Sequence, residues 1–417
     1  MDLIFLEYLR LKRINSLNLK KYDITIVGGG IVGLSTAYKI QLKYPKLNLL
    51  ILEKEKKLAS HQTGRNSGVL HSGLYYKPGS LKAKNCVEGR RELVQFAKQY
   101  NINFDVCGKL VVASDDDQSE RLNFLKYNGE QNGLIGLKIL DSKESKDIEP
   151  YVEAVKALWV PETGIIDYVS VTNMLSKLII SINPNSNILT SCKVLSFSDH
   201  SINTTKGVFT SKHIIFCGGL FSDRLAAKDK LHLDMQIVGF RGDYFKLREN
   251  AKFKVRNLIY PVPNPEFPFL GLHLTRMTNG DIECGPNAVF TFKREGYNKT
   301  DFNIRDTIQA LLFSGTHKLF INHWKFGINE YKRAFSKSLF LKEIQKMVPS
   351  IRKEDIIESR SGVRAMALRK NGEIVDDFNI VKNGDNIHVL NAPSPAATAC
   401  LAIGEQIMNK ASIYFNM

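Results

Sequence analysis

Residues 23–53 read DITIVGGGIVGLSTAYKIQLKYPKLNLLILE, and the order of the signals within them decides the fold. An apolar run, Ile24 to Val27, enters a turn carrying Gly28, Gly30 and Gly33 at G-x-G-x-x-G spacing. A helical pattern follows, with Leu34, Ala37, Tyr38 and Leu42 predicted on one side. A second apolar run, Leu49 to Leu52, ends on Glu53. Strand, glycine turn, helix, strand and terminal acid in that order make a βαβ unit that holds a dinucleotide. Gly28 permits the tight turn, Gly30 lets the pyrophosphate approach the backbone, and Gly33 lets the helix lie close to the strand. The helix N-terminus offers N–H groups and partial positive charge to the phosphates. Glu53, with Lys54 beside it, is placed to accept hydrogen bonds from an adenosine ribose and disfavours a 2′-phosphate.

Around this unit lie 417 residues, enough for two interleaved domains. An apolar fraction of 43% and a charged fraction of 24% fit an ordinary globular chain. No apolar run is long enough to span a membrane. The 6 cysteines show neither C-x-x-C nor zinc spacing, so they read as thiols in a reducing compartment, and no metal site is expected. The formal charge of +16 comes from lysines spread along the whole chain. No RNA-binding signature accompanies them, so no nucleic-acid partner is expected. The excess reads as a lysine-rich surface, with an acidic substrate or anionic membrane as further readings.

Residues 1–22 form a leader with Arg10, Lys12, Arg13, Lys20 and Lys21 against Asp2 and Glu7. A mitochondrial presequence is one reading; an interfacial helix or a non-functional leader is another. After Glu53, LASHQTGRNSGVLHSGLYYKPGS is rich in small residues and dense in His, Arg and Tyr, as in loops that pass a cofactor. Arg65, Asn66 and Ser67 are expected to contact it. Residues 81–100 and 116–131 read as helices. HIIFC, 213–217, is a buried strand closing on Gly218, again suited to close approach. Val194 is placed to offer a backbone amide to the adenine. Residues 235–295 alternate as an antiparallel sheet, and 302–347 turn helical, with Trp324 and Phe326 among lysines that can touch a membrane. In NAPSPAATACLAIGE, Pro395, Ala396, Ala397 and Thr398 form a small-residue loop before a helix whose N-terminus can face an anion or the flavin carbonyls.

NAD and FAD both use such a fold. A nicotinamide enzyme keeps its dinucleotide domain in one block, whereas here the pieces fall at 23–80, 190–220 and 387–405. An extended FAD needs that scattered set. The expected fold class is α/β with an α+β cap: a Rossmann-like FAD-binding domain interleaved with an antiparallel-sheet substrate domain. The expected FAD-binding domain covers 23–80, 185–230 and 355–417. The substrate or cap domain covers 81–184 and 231–354, with a helical insert at 302–347.

Beyond the first glycine motif, the chain carries RNSGVLHSGLYY from Arg65, GFRGDYFKL from Gly239 and LIYPVPNPEFPFLGLHLTRM from Leu258. GPNAVFTFKREGY from Gly285, SGVRAMAL from Ser361 and NAPSPAATACLAIGE from Asn391 follow. With these the sequence resembles the FAD-dependent oxidoreductases of the D-amino-acid oxidase superfamily. Within them it is similar to the L-2-hydroxyglutarate dehydrogenase/oxidase family. Cys400 stands where a serine is expected. The resemblance implies oxidation of L-2-hydroxyglutarate to 2-oxoglutarate with reduction of FAD. Oxygen, a quinone or an electron-transfer flavoprotein is then the acceptor. Location turns on the leader: a mitochondrial one is expected, with the cytoplasmic face of a bacterial inner membrane as the alternative.

Such a reaction needs a base for the hydroxyl proton, and histidine suits it. His71, in the loop expected near the isoalloxazine, comes first and His273 second. A dicarboxylate needs cations, and the arginine fork binds carboxylates through paired hydrogen bonds. Arg364, in SGVR, matches the α-carboxylate arginine of related oxidases. Arg276 or Arg241 is expected at the distal carboxylate, and Tyr75, Tyr76 and Tyr260 at the pocket wall. The competing readings are an amine oxidase of the D-amino-acid or glycine type, and a silent flavoprotein that binds RNA or membrane.

Overall fold

The computed structural model describes residues 17, 20–198, 200–264 and 271–417. The leader expectation therefore lies almost wholly outside the described residues, as does part of the 258–277 motif. The chain forms two compact units, one ending its first segment at Gly64 and adding Tyr168–Asp234 and Asp377–Met417. The other contains Arg65–Asp167 and Met235–Asp376. These boundaries correct the expected ones. Residues 65–80 and 355–376 belong to the second unit because they hydrogen-bond within its sheets. Residues 168–184 belong to the first because their helix packs on the βαβ helix.

In the first unit, Lys21–Val27 is the central strand, so Lys21 and Tyr22 of the expected leader belong to it. It pairs in parallel with Leu49–Leu52 and with Gly207–Phe216, Val27 facing Leu52 and Phe216. Asn187–Leu189 and Asn386–Asn391 extend this parallel core, and Val194–Ser198, Ser201–Thr204 and Asn379–Asn383 add antiparallel margins. Fully apolar strands suit a sheet covered on both faces. The helix Ile31–Lys43 buries Ile31, Leu34, Ala37 and Ile40, but Leu42 is 51% exposed. The buried partner one turn from Leu34 and Ala37 is Gln41, whose amide donates to Pro45 and Leu47 carbonyls and accepts from Ser186. Helix Cys400–Tyr414 packs so close to it that a Cβ on Gly404 would sit 2.7 Å from the Ser35 backbone.

The second unit is built on a nine-stranded sheet. Its strands run Val289–Phe290, Met235–Leu247, Ile282–Gly285, His273–Arg276, Leu258–Pro261, Lys109–Ala113, Lys156–Val160 and Lys138–Leu140, with Ile356–Arg369 also paired to Met235–Leu247. All neighbours are antiparallel except Lys109–Ala113 with Leu258–Pro261. One face is an apolar core, with Leu110, Val112, Ile259, Leu274 and Cys284 against Phe340, Ile344 and Val348. The 302–347 segment forms helices Ile304–Leu312, Ser314–Phe335 (kinked at His323) and Lys337–Gln345. Ile321, Trp324 and Phe335 on the middle one are exposed. No helix among the described residues is long and apolar enough to cross a membrane.

Candidate functional site

The glycine turn of the first unit has the shape a pyrophosphate needs. Gly28 sits at φ +122, and a Cβ there would lie 2.3 Å from the Cys217 carbonyl oxygen. A Cβ on Gly33 would lie 2.1 Å from the Gly28 carbonyl oxygen, so both glycines are required by packing. Gly30 differs: a Cβ there would meet only Thr63 Oγ1, at 3.4 Å. The space beside Gly30 is open, at the start of a helix whose N-cap makes no side-chain bond. Thr63 Oγ1 accepts from the Ile31 amide at 3.0 Å and fixes that first turn, a role the sequence pattern did not reveal. Glu53 is buried; its Oε2 accepts from the Gly29 amide at 2.8 Å and its Oε1 from the Glu55 amide at 2.8 Å. The carboxylate is thus locked at the strand end, and oxygen lone pairs remain for a ribose. These donors fit an adenosine diphosphate.

The other cofactor candidates divide. Gly218 begins the turn after Gly207–Phe216, where a Cβ would lie 2.5 Å from Leu225 Cδ1. Val194 starts an edge strand with its side chain in the core beside Ile202, Phe209 and Phe216, leaving only backbone for a ligand. Lys54 pairs with Glu55 at 3.1 Å and lies over the Phe221 ring. Pro395 to Thr398 precede helix Cys400–Tyr414, whose N-cap also lacks a side-chain bond. Thr398 Oγ1 is held 2.9 Å from the Tyr168 hydroxyl. Arg65 and Asn66 are corrections to the expected domain. In the second unit, Arg65 stacks on Tyr297 at 4.1 Å and donates to the Ser361 carbonyl, and the Asn66 carbonyl accepts from Arg360. Ser67 falls in the same unit. These side chains bind the 65–70 loop to the Ile356–Arg369 strand.

The second unit gathers its polar side chains on the sheet face opposite the apolar core. Side chains alternate along a strand, so register decides the company each keeps. Val111 lies beside Tyr260, and the pairing of Ile259 with Leu274 sets Tyr260 opposite His273. Lys109 therefore shares a face with Tyr260 and His273. Their rings stack, with centroids 4.0 Å apart and planes at 18°. Cys284 pairs with Phe245, which brings Tyr244 to the next place, and Arg364 follows on the adjacent strand.

This face is desolvated. Burial, with help from Lys109, pushes His71 down to about 3. Burial, Arg364 and Lys109 push His273 down to about 3, against the pull of the Gly271 carbonyl. Both imidazoles are therefore neutral. The Gly271 carbonyl lies 2.9 Å from His273 Nδ1, so Nδ1 donates there and Nε2 is left as the accepting nitrogen. Burial raises Tyr75 and Tyr260, and takes Tyr244 to about 12, so all three stay protonated donors. Arg364 is lowered by burial, partly offset by Tyr244 and Glu330.

Two expected carboxylate ligands are elsewhere. Arg276 is three residues from His273, an odd step, and so projects to the other face. There it pairs with Asp105 and interacts with Cys107. Arg241 pairs in register with Val363 while Arg364 pairs with Phe240, which again separates the two faces. Its guanidinium is buried against Asp243, 2.8 Å from Oδ1 and 3.3 Å from Oδ2, and donates to the Asn298 carbonyl. It is a structural ion pair. Lys109, by contrast, lies on the same face as Tyr260 and His273. Its only local signal is a cation at the head of the run LVVA.

The chain is similar to proteins already known. A family model described as FAD dependent oxidoreductase matches residues 23–409. The chain is 46% identical over 388 residues to an L-2-hydroxyglutarate dehydrogenase of Indibacter alkaliphilus, covering 92% of this chain and 97% of that protein. It is 41% identical to the L-2-hydroxyglutarate dehydrogenase of Escherichia coli K12, with 93% of each covered. It is 40% identical to the mitochondrial L-2-hydroxyglutarate dehydrogenase of Bos taurus, covering 95% of this chain and 90% of that one. In fold it is similar to the FAD-bound L-alpha-glycerophosphate oxidase of Mycoplasma pneumoniae, with a TM-score of 0.73, 23% identity and 96% of each chain covered.

Proposed function

Because the chain belongs to the family of FAD-dependent oxidoreductases, we infer that it oxidises L-2-hydroxyglutarate to 2-oxoglutarate. The observation that carries this reading is identity of 40–46%, across nine-tenths or more of each chain, to dehydrogenases named for that substrate. The chemistry of the buried face supports it, with a fixed neutral imidazole, an arginine and tyrosine hydroxyls gathered together.

FAD, when bound, supplies a two-electron acceptor that takes the Cα hydrogen of the substrate with its electron pair. Gly28, Gly30, Gly33 and Glu53 would hold its adenosine diphosphate part. In the second unit Arg364 binds the α-carboxylate through its planar fork. His273 Nε2 takes the hydroxyl proton, leaving a carbonyl. A dianionic substrate offsets the cations that depress this imidazole and so raises its basicity when it is needed. His273 is taken as the first choice, because the Gly271 carbonyl sets its tautomer and leaves Nε2 to accept, with His71 as the second candidate.

Anaerobic mixing of the yellow protein with L-2-hydroxyglutarate, its D-isomer, glycine and D-alanine tests the function. Bleaching is expected with the L-hydroxy acid. Bleaching by an amine alone would overturn the assignment. His273→Asn should lower kcat on the order of a hundredfold or more, the usual share of a general base, with FAD retained. Parent kcat in that variant would return the role to His71.

We further propose that helices Ile304–Leu312 and Ser314–Phe335 rest on a membrane, in mitochondria as named for the eukaryotic relatives. Ile304, Leu312, Ile321, Trp324 and Phe335 are exposed there among Lys318, Lys325 and Lys332. Changing Ile321 and Trp324 to serine should release the protein from sedimenting anionic vesicles, whereas equal sedimentation would remove the contact.

A further inference from the structure

The polar face of the second unit has a cation at each end and the accepting imidazole between them. From strand to strand the order runs Arg364, Phe240 and Tyr244, Gly285, His273, Tyr260, Lys109. His273 feels the positive charge of both Arg364 and Lys109. We propose that Lys109 binds the distal carboxylate of the substrate and so selects a dicarboxylate over a monocarboxylic 2-hydroxy acid. The proposal rests on the L-2-hydroxyglutarate reading and deepens it.

Lys109 is 1% exposed, among the largest fully buried side chains. Its Nζ lies 3.2 Å from the Tyr75 hydroxyl, 4.3 Å from the Tyr75 ring centroid and 5.0 Å from that of Tyr260. Among the described residues it forms no ion pair with a carboxylate. A buried ammonium without a counter-anion is costly, and an anionic ligand offsets that cost. The two aromatic rings favour a cation and confine it sideways. A substrate with its α-carboxylate on Arg364 and its hydroxyl at His273 directs the rest of its chain towards this end. Arg276 and Arg241, the other cations considered for the task, are on the opposite face and already paired with Asp105 and Asp243.

Lys109 is also the group on this face that titrates near neutrality. Burial lowers it to about 7, with Cys86 pulling the other way. Around it, His71 and His273 sit near 3, Cys86 is raised to about 12, and Tyr75 and Tyr260 are raised. Lys82 and Arg90, on the adjoining helix Leu81–Gln99, are paired with Asp376 and Glu162.

The test compares the FAD-loaded parent with Lys109→Met on L-2-hydroxyglutarate and on L-2-hydroxypentanoate, which has a methyl in place of the distal carboxylate. Lys109→Met should lose about a hundredfold in kcat/KM on the diacid, mostly through KM. On the monoacid it should change by less than about threefold, since no charge pair is lost there. Equal loss on both substrates, or no loss on the diacid, overturns the proposal. A parent that does not oxidise L-2-hydroxyglutarate at all overturns instead the activity assignment. Should Lys109→Met not take up FAD, the parent alone decides. Glutarate and pentanoate are titrated against the flavin absorbance from about pH 6 to about pH 9, spanning the lowered lysine. Glutarate affinity should fall as pH rises and Lys109 loses its proton, while pentanoate affinity stays level. Parallel curves overturn the proposal.

Discussion

Gly30→Val should give a folded protein that no longer retains FAD. Gly30 has φ −81 and ψ 176, extended backbone that any residue adopts. A Cβ there touches only Thr63 Oγ1, at 3.4 Å, so the protein itself accommodates a side chain with a small shift. The pyrophosphate does not, because the valine methyls occupy the approach to the helix N-terminus. An affinity loss of about a thousandfold, roughly 4 kcal/mol, is expected. Flavin absorbance after desalting, with circular dichroism as the fold check, reads both halves of the prediction. A yellow, fully loaded Gly30→Val protein would show that the cofactor does not pass this turn. Gly28→Ala is the contrast: at φ +122, with the Cys217 oxygen 2.3 Å from its new Cβ, it should damage the fold itself.

Arg364→Lys should retain FAD and lose about a thousandfold in kcat/KM for L-2-hydroxyglutarate, roughly 4 kcal/mol of transition-state stabilisation. Charge is conserved in this variant, but the two-pronged hydrogen bond is lost, and a shorter, point-like ammonium leaves the carboxylate displaced from the base. The effect is large because Arg364 works in a desolvated face, where burial already lowers its own pKa. Stopped-flow reduction of the flavin separates chemistry from later steps. Parent reduction rates and parent KM would take Arg364 out of the site.

The dinucleotide-type fold was legible in the sequence because its signals are short-range. Gly28, Gly30, Gly33 and Glu53 lie on one strand–turn–helix–strand passage, and the spacing of the glycines carries the geometry directly. The helices Leu81–Gln99 and Asp116–Gln131 were equally readable from local apolar periodicity. What the composition of the 65–67 segment did not reveal is its anchoring: Arg65 donates to the Ser361 carbonyl and the Asn66 carbonyl accepts from Arg360, on a strand nearly three hundred residues later.

By itself, then, the sequence determined the dinucleotide unit and the two-part α/β plan, and it offered His71, His273 and Arg364 as candidates. Only the tertiary structure decided which cations share a face with that base. In a strand the side chain alternates at every residue, so Arg276 leaves the face that His273 occupies, and Arg241 leaves the one that Arg364 occupies. Lys109 joins His273 only through the parallel pairing of Lys109–Ala113 with Leu258–Pro261, between segments some 150 residues apart. Strand register across such distances arises from the packing of the whole sheet, and no local pattern around Lys109 announces it.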